Sequence, residues 1–283
     1  MTAFWQWWQQ LPHTLDPVLL RLGGFEIRYY GLMYLVAFGV AWLILRHLIR
    51  RKEVNVTMVQ ANDYMFWAVL AVLVGGRLGY VFFYDLNYFL AHPLSIILPV
   101  STENGLHFTG FLGMSFHGGA LAVAVVTIWF CRTRGIRILE FGDALATAVP
   151  LAYTFGRLGN FLNGELYGRI TSMPWGMSFP NSPGEALRHP SQLYEAFFEG
   201  IVLFLLIWWL RKRVQRSGKL LGVYITGYAA FRFVIEFFRE PDAHLGFVAG
   251  PFTLGQVLCL IMGLVGVVLL VIPEIKKKKT KKK

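Results

Sequence analysis

"GRLGNFLNGELYG" (residues 156–168) closes an apolar run that begins near residue 139. A run of about twenty mostly apolar residues is what a helix needs to cross a bilayer. This one carries an arginine, two asparagines and a glutamate, spaced by glycines, to its end. Packing of helix against helix explains the glycines but leaves the Arg, Asn and Glu unexplained. Six further apolar segments accompany it, at about 29–46, 62–84, 109–131, 191–210, 220–238 and 253–273. With 139–158 they make an all-α, polytopic membrane protein of about seven transmembrane helices.

Composition agrees. Of 283 residues, 55% are hydrophobic and only 15% charged, and the mean hydropathy is +0.51. Soluble proteins of this length carry about a quarter charged residues. The net charge of +11 would point to nucleic acid in a soluble chain, but seven of the positive charges are Lys276–Lys279 and Lys281–Lys283. A lysine tail beside a last apolar helix is an anchor to anionic lipid, and no basic aromatic module accompanies it. The two cysteines, Cys131 and Cys259, have neither metal-ligand spacing nor a disulfide framework and read as small packing residues. The opening "MTAFWQWWQQLPHTLDP" lacks the basic start and cleavage site of a signal peptide. Its Trp5, Trp7 and Trp8 suit a membrane–water interface.

Lys and Arg in the short loops set the orientation. One side carries nineteen of them: Arg46, Arg50, Arg51, Lys52, Arg132, Arg134, Arg137, Arg211, Lys212, Arg213, Arg216, Lys219 and the tail. The other carries five, Arg21, Arg28, Arg169, Arg188 and Arg239, and three lie within the spans. The bias places the N-terminus outside and the C-terminus in the cytoplasm. The division is then an interfacial arm (1–28), a transmembrane domain (29–273) and a basic tail (274–283). Two outside loops are long: 85–108, and 159–190, whose Pro174, Pro180, Pro183 and Pro190 rule out a continuous helix and indicate a small head. "GGRLGYV" (75–81) and "FGRLGNF" (155–161) echo each other at the outer ends of two helices.

Charges within spans are costly and face a cavity or a partner. In this orientation Tyr30, Arg77, His117, Arg157, Arg232 and Glu236 all fall in the outer leaflet, and His189, Gln192 and Glu195 open the fifth span there. Asp63 and Asp143 sit on the cytoplasmic side close to helix starts and read as structural. Tyr228, Arg232 and Glu236 form a stripe at four-residue spacing. Alone, the last pair could be a salt bridge that only locks the bundle. Beside Arg77 and Arg157 it leaves positive charge over, and that excess calls for an anion. The arginine fork matches phosphate, while Asn160 and Asn163 add uncharged donors. His117, in "SFHGGAL", is either a hydrogen-bonded spectator or a proton acceptor.

"RYYGLMY" (28–34), "GGRLGYVFFY" (75–84), "SFHGG" (115–119), "GRLGNFLNGELYG", "RHPSQLYE" (188–195) and "GYAAFRFVIEFFREPD" (227–242) resemble, in order, the bacterial prolipoprotein diacylglyceryl transferases. The thirteen-residue block matches that family's signature stretch. The resemblance implies an inner-membrane enzyme with seven spans and an active site toward the periplasmic leaflet. Such an enzyme transfers diacylglycerol from phosphatidylglycerol to the lipobox cysteine of a preprolipoprotein, giving a thioether and glycerol phosphate. It implies that Arg157 binds phosphatidylglycerol. Tyr30, His117, Asn160, Glu165, Gly168, Tyr228, Arg232 and Glu236 fall on positions important to the family. Only "RITSMPWGMSFPNSPGEAL" (169–187) precedes "RHPSQLYE", so the head is shorter than in some members.

The chemistry fits this inventory. A thiol must lose a proton and attack a glyceryl carbon, and a base or a positive field helps it. His117 is the first candidate base, with Tyr30 or Glu236 behind it. Arg157 and Arg232 would hold the phosphate, Asn160 and Glu165 would orient the headgroup, and Arg77 would support them. No metal or cofactor is required. A transporter or flippase for an anionic lipid would share these features but would need polar residues through the full membrane depth. A different headgroup transferase would share the anion site.

Overall fold

The computed structural model describes residues 2–22, 25–84, 86–97, 100–101, 107–108, 113–214, 217–240 and 247–272. The lysine tail, Arg216, the start of the third apolar segment and parts of the 85–108 loop lie outside them. The chain folds as two compact units, residues 1–48 with 142–283, and residues 49–141.

Each of the seven apolar segments forms a helix. Five of these helices are long and apolar enough to cross a membrane: α2 (Tyr29–Arg50), α3 (Met58–Tyr84), α6 (Phe116–Thr133), the composite helix Ser191–Leu210, and α11 (Leu254–Val271). Between a sixth and a third of each is buried against protein. Their outward faces carry exposed Leu35, Phe66, Leu121 and Leu264. A water-facing protein rarely shows apolar surface on this scale, and a multi-pass membrane protein must. The other two helices are α7 (Ile138–Leu162) and α10 (Lys219–Ile235). The first is long, but Asp143, Pro150 and Arg157 lower its apolarity; the second has 17 residues. These two carry the candidates Arg157, Asn160, Tyr228 and Arg232, and polar residues inside a helix dilute its hydropathy.

The second unit is built on α3 against α6, with the short helices α4 (Leu86–Ala91) and α5 (Leu94–Ile97) following α3. The α3–α6 seam is lined with glycine. A Cβ on Gly118 would clash with the Gly75 carbonyl, and one on Gly79 would lie 2.7 Å from Gly118 Cα. Small residues let backbones approach where lipid gives no hydrophobic drive between helices. Ser115 caps α6 by accepting from Gly118 N at 3.3 Å, and Tyr64 meets Thr127 across the seam at 2.8 Å. Asp63 pairs with Arg134 at 3.2 Å, a structural role as expected.

In the first unit, α1 (Ala3–Thr14) leads into a hairpin of β1 (Val18–Leu22) and β2 (Phe25–Arg28), then α2. The composite helix comprises α8 (Ser191–Glu195), a π-helical stretch Ala196–Val202 and α9 (Leu203–Leu210). Gly200 in the π stretch gives room to Thr154 of α7, whose hydroxyl donates to Ala196 O at 3.3 Å. Helices α10 and α11 pack closely at Gly222 and Gly266. Thr253 and Gln256 form a reciprocal capping box at the start of α11. Asp143 is structural, although it serves another helix than its own: its carboxylate accepts from Gly218 N at 2.7 Å and Leu221 N at 2.8 Å, capping α10.

Residues 163–190 contain no helix and form the head. Phe161, Met177 and Phe179 make its core, with Trp8, Leu11 and Tyr167 packed against it. The N-terminal helix is therefore docked on the head: Trp8 donates to Trp175 O at 2.9 Å and Gln9 to Pro174 O at 3.1 Å. Trp7 remains exposed.

Candidate functional site

At the end of α7 the chain turns back on itself. Gly164 takes φ +64°, where glycine is favoured, and Glu165 N donates to Asn160 O at 3.1 Å. The turn brings the Glu165 carboxylate onto Asn160 Nδ2 at 2.9 Å. Gln192 of α8 anchors the same turn by donating to Glu165 O at 2.6 Å. Gly168 lies where the head meets the segment after α10, and forms an isolated antiparallel bridge with Arg239. A Cβ there would clash with Phe238 O and lie 2.8 Å from His189 Cβ, so glycine is needed for packing. Partial burial lowers the His189 pKa from its usual value. Tyr30 and Met33 of α2 rest on Gly159, 3.2 Å from where its Cβ would stand.

Deeper lies the charged centre. Glu195, 1% exposed, places one carboxylate oxygen, Oε2, 2.7 Å from Arg157 Nε and 2.9 Å from Arg232 Nη1. One anion thus holds two cations of different helices together. Arg232 also pairs with Glu236 at 3.0 Å, and Arg239 approaches Glu236 at 3.8 Å. Thr253 donates to the other Glu236 oxygen at 3.0 Å. Arg157 Nε further donates to Tyr153 Oη at 2.6 Å, and Arg157 Nη1 to Asn160 Oδ1 at 3.3 Å. Tyr153 donates to Glu199 at 2.5 Å, and its ring meets Tyr228 edge to face, with centroids 5.9 Å apart.

The structure thus unites Tyr30, Arg157, Asn160, Glu165, Gly168, Tyr228, Arg232 and Glu236 in the first unit. Arg77 and His117 belong to the second. Arg77 is engaged there by the carbonyls of Ile96 (3.1 Å), Gly113 (3.3 Å) and Ser95, and lies over the Phe89 ring. His117 is exposed in the first turn of α6.

One expectation needs correction. Arginines were expected to outnumber carboxylates, but in this cluster Glu195, Glu199 and Glu236 match Arg157, Arg232 and Arg239 in formal charge. Surplus charge therefore gives no argument for an anion here, and only the geometry of the cluster does. Arg157 is held by its Nε end, and its Nη2 has no hydrogen-bond partner among the described residues. Sequence reasoning gave Glu195 no role and missed Glu199 and Tyr153. The available signal was spacing: Glu195 and Glu199 are four apart inside an apolar run, and Tyr153 precedes Arg157 by four.

Apolar helices with exposed flanks around a buried arginine–carboxylate centre define an integral membrane protein with a polar site among its helices. The family model described as prolipoprotein diacylglyceryl transferase matches residues 17–272, and the chain belongs to that family. It is 49% identical over 272 residues to the phosphatidylglycerol–prolipoprotein diacylglyceryl transferase of Chlorobaculum tepidum, covering 96% of this chain and 94% of that one. It is 47% identical over 258 residues to the protein of that name from Bordetella avium (91% and 94% covered). To the one from Geobacter sulfurreducens it is 44% identical over 268 residues (95% and 98%).

Proposed function

We propose that this chain transfers the diacylglyceryl group of phosphatidylglycerol to the lipobox cysteine thiol of a preprolipoprotein, the first step of bacterial lipoprotein maturation. The observation that carries the reading is the pair Arg157 and Arg232 held on one buried oxygen of Glu195, in a member of this family. The thiolate sulfur bonds to the glyceryl carbon as that carbon's bond to the phosphate oxygen breaks. The electron pair leaves with glycerol phosphate.

Arg157 and Arg232 hold the phosphate and offset the charge that develops on it. Asn160 and Glu165 orient the headgroup, and Tyr30 and Tyr228 line it. Gly168 keeps the head close to the end of α10. Arg77 braces the second unit, and His117 accepts the thiol proton, with Tyr30 and Glu236 as the alternatives. The enzyme is placed in the bacterial inner membrane, crossing it seven times with its active site toward the periplasmic leaflet. The lysine-bias orientation and the outer-leaflet depth of the polar layer support that placement.

The test is a reconstituted assay with purified chain, phosphatidylglycerol and a lipobox peptide, following peptide mass. The expected result is a gain of one diacylglyceryl unit on cysteine. Arg157→Ala lowers the rate by about 10²–10³-fold or more while the protein stays folded and inserted. Normal transfer by that variant would remove Arg157 from the phosphate site. No mass gain with folded parent protein would remove the reaction itself.

A further inference from the structure

Glu199 is an expensive residue. It is fully buried in the π-helical stretch of an apolar helix, where an ionisable group needs a reason. Charge pairing does not supply one. Arg157 and Arg232 already share Glu195, and Arg232 has Glu236 as well. Among the described residues Glu199 lies in no ion pair and accepts one hydrogen bond, from Tyr153 Oη at 2.5 Å.

A phenol has one proton to give. Given to Glu199, it leaves the Tyr153 oxygen as an acceptor, and that oxygen lies 2.6 Å from Arg157 Nε. Glu195 Oε2 is a second, longer acceptor for the phenol at 3.3 Å, so the short chain runs in one direction, from Arg157 Nε–H to Tyr153 O–H to Glu199 Oε2. A carboxylate at its end polarises the phenol and strengthens the bond to the guanidinium. The geometry at Arg157 gives the chain its purpose. Glu195 and Tyr153 both engage Nε. Neither occupies the Nη1–Nη2 edge, the edge a planar fork offers an oxyanion, where Asn160 Oδ1 takes one Nη1 proton at 3.3 Å and the other Nη protons remain to be given.

We propose that Glu199, acting through Tyr153, positions Arg157, fixing its Nε end so that the Nη1–Nη2 edge faces the lipid phosphate. Tyr153 and Glu199 are positioning residues, and the proposal rests on the phosphate-binding reading of Arg157. Their contribution falls on binding of the phosphate-bearing lipid.

The full-length chain in detergent micelles is tested two ways: equilibrium binding of radiolabelled phosphatidylglycerol, and transfer kinetics against lipid concentration. Tyr153→Phe is expected to weaken lipid binding and raise KM roughly tenfold, the worth of about one hydrogen bond, with kcat within about twofold. Glu199→Met does the same. Glu199→Gln keeps an acceptor for the phenol at nearly the same volume and restores most of the affinity. In the Tyr153→Phe background, Glu199→Met adds little, because the path between Glu199 and Arg157 is already cut. Thermal unfolding of each variant identifies one that fails to fold, and the isosteric Glu199→Gln and Tyr153→Phe then decide alone. Unchanged affinity in folded Tyr153→Phe, a loss confined to kcat, or additive losses in the double variant would overturn the proposal. A parent that binds the lipid but transfers nothing would overturn the proposed reaction, while the binding measurements still decide the positioning role.

Discussion

Two guanidinium groups on one carboxylate oxygen repel each other, and the fold accepts that repulsion inside an apolar bundle. In the proposed reaction the monoanionic phosphodiester of the lipid would relieve it, and Glu195 would hold the two cations together as well as neutralise them. In the proposed reaction the thiol proton needs a different group, and His117 is the one we propose for it. His117→Gln is expected to lower kcat by about 10²–10⁴-fold, the usual worth of a general base. It should also flatten the acid side of the pH–rate profile, while binding of phosphatidylglycerol stays at the parent level. Initial rates across pH with a lipobox peptide check this, and near-parent turnover at every pH would return the role to Tyr30 or Glu236. At this scale the sequence was informative where a residue type is anomalous in its surroundings. Arg157, Arg232 and Glu236 announce themselves in apolar runs. Glu195 and Glu199 do so too, but their partners Tyr153 and Arg157 stand on a different helix, α7, and no local spacing shows that partnership. Tyr153 is an ordinary residue in a membrane helix, and its role depends on a neighbour 46 positions away.

Elements here are joined by what is missing from them. At Gly75, Gly79 and Gly118 the α3–α6 seam has no space for a side chain, so the two backbones carry the contact. Gly118→Leu must separate the helices or force off-rotamer packing. It is expected to cost about 1–3 kcal/mol or more, read as a lower unfolding midpoint of the purified chain in detergent. Gly39→Ala in α2, where a Cβ meets nothing within 4 Å, serves as the control and stays near the parent. Equal midpoints for the two variants would contradict the close seam. The glycine pattern also explains the echo between residues 75–81 and 155–161. Gly79 admits α6 and Gly159 admits the Tyr30 end of α2, so the repeated spacing serves close packing at both places. Helix positions were legible because apolar runs are long and loops are basic or proline-rich. The π-helical stretch was not, because its signal is a hydrogen-bond register set by Gly200 against Thr154, and no local composition encodes that.

For the whole molecule the open quantity is how many times the chain crosses. Five helices qualify on length and apolarity together, and α7 and α10 are the two that fall short. Helix α7 falls short in apolarity, through Glu140, Asp143, Pro150 and Arg157, and α10 falls short in length. A 17-residue helix is at the short end of what spans a hydrocarbon core, and local thinning or snorkelling accommodates it at modest cost. Crossing by both puts the head outside and the basic loop after α9 inside, in keeping with the lysine and arginine bias. If neither crossed, these two segments would exchange sides while the tail stayed in the cytoplasm. The exchange can be measured with single cysteines at exposed Ser172 in the head and exposed Lys212 after α9, against the buried background of Cys131 and Cys259. A membrane-impermeant maleimide applied to intact spheroplasts is expected to label Ser172→Cys at once, and Lys212→Cys only after the membrane is opened. The reverse pattern would mean five crossings and would move the charged centre away from the leaflet where secreted preprolipoproteins present their cysteine. Because the two sites flank the composite helix and must report opposite sides, the pair of labelling rates decides on which side of the membrane the head lies and checks that this helix crosses.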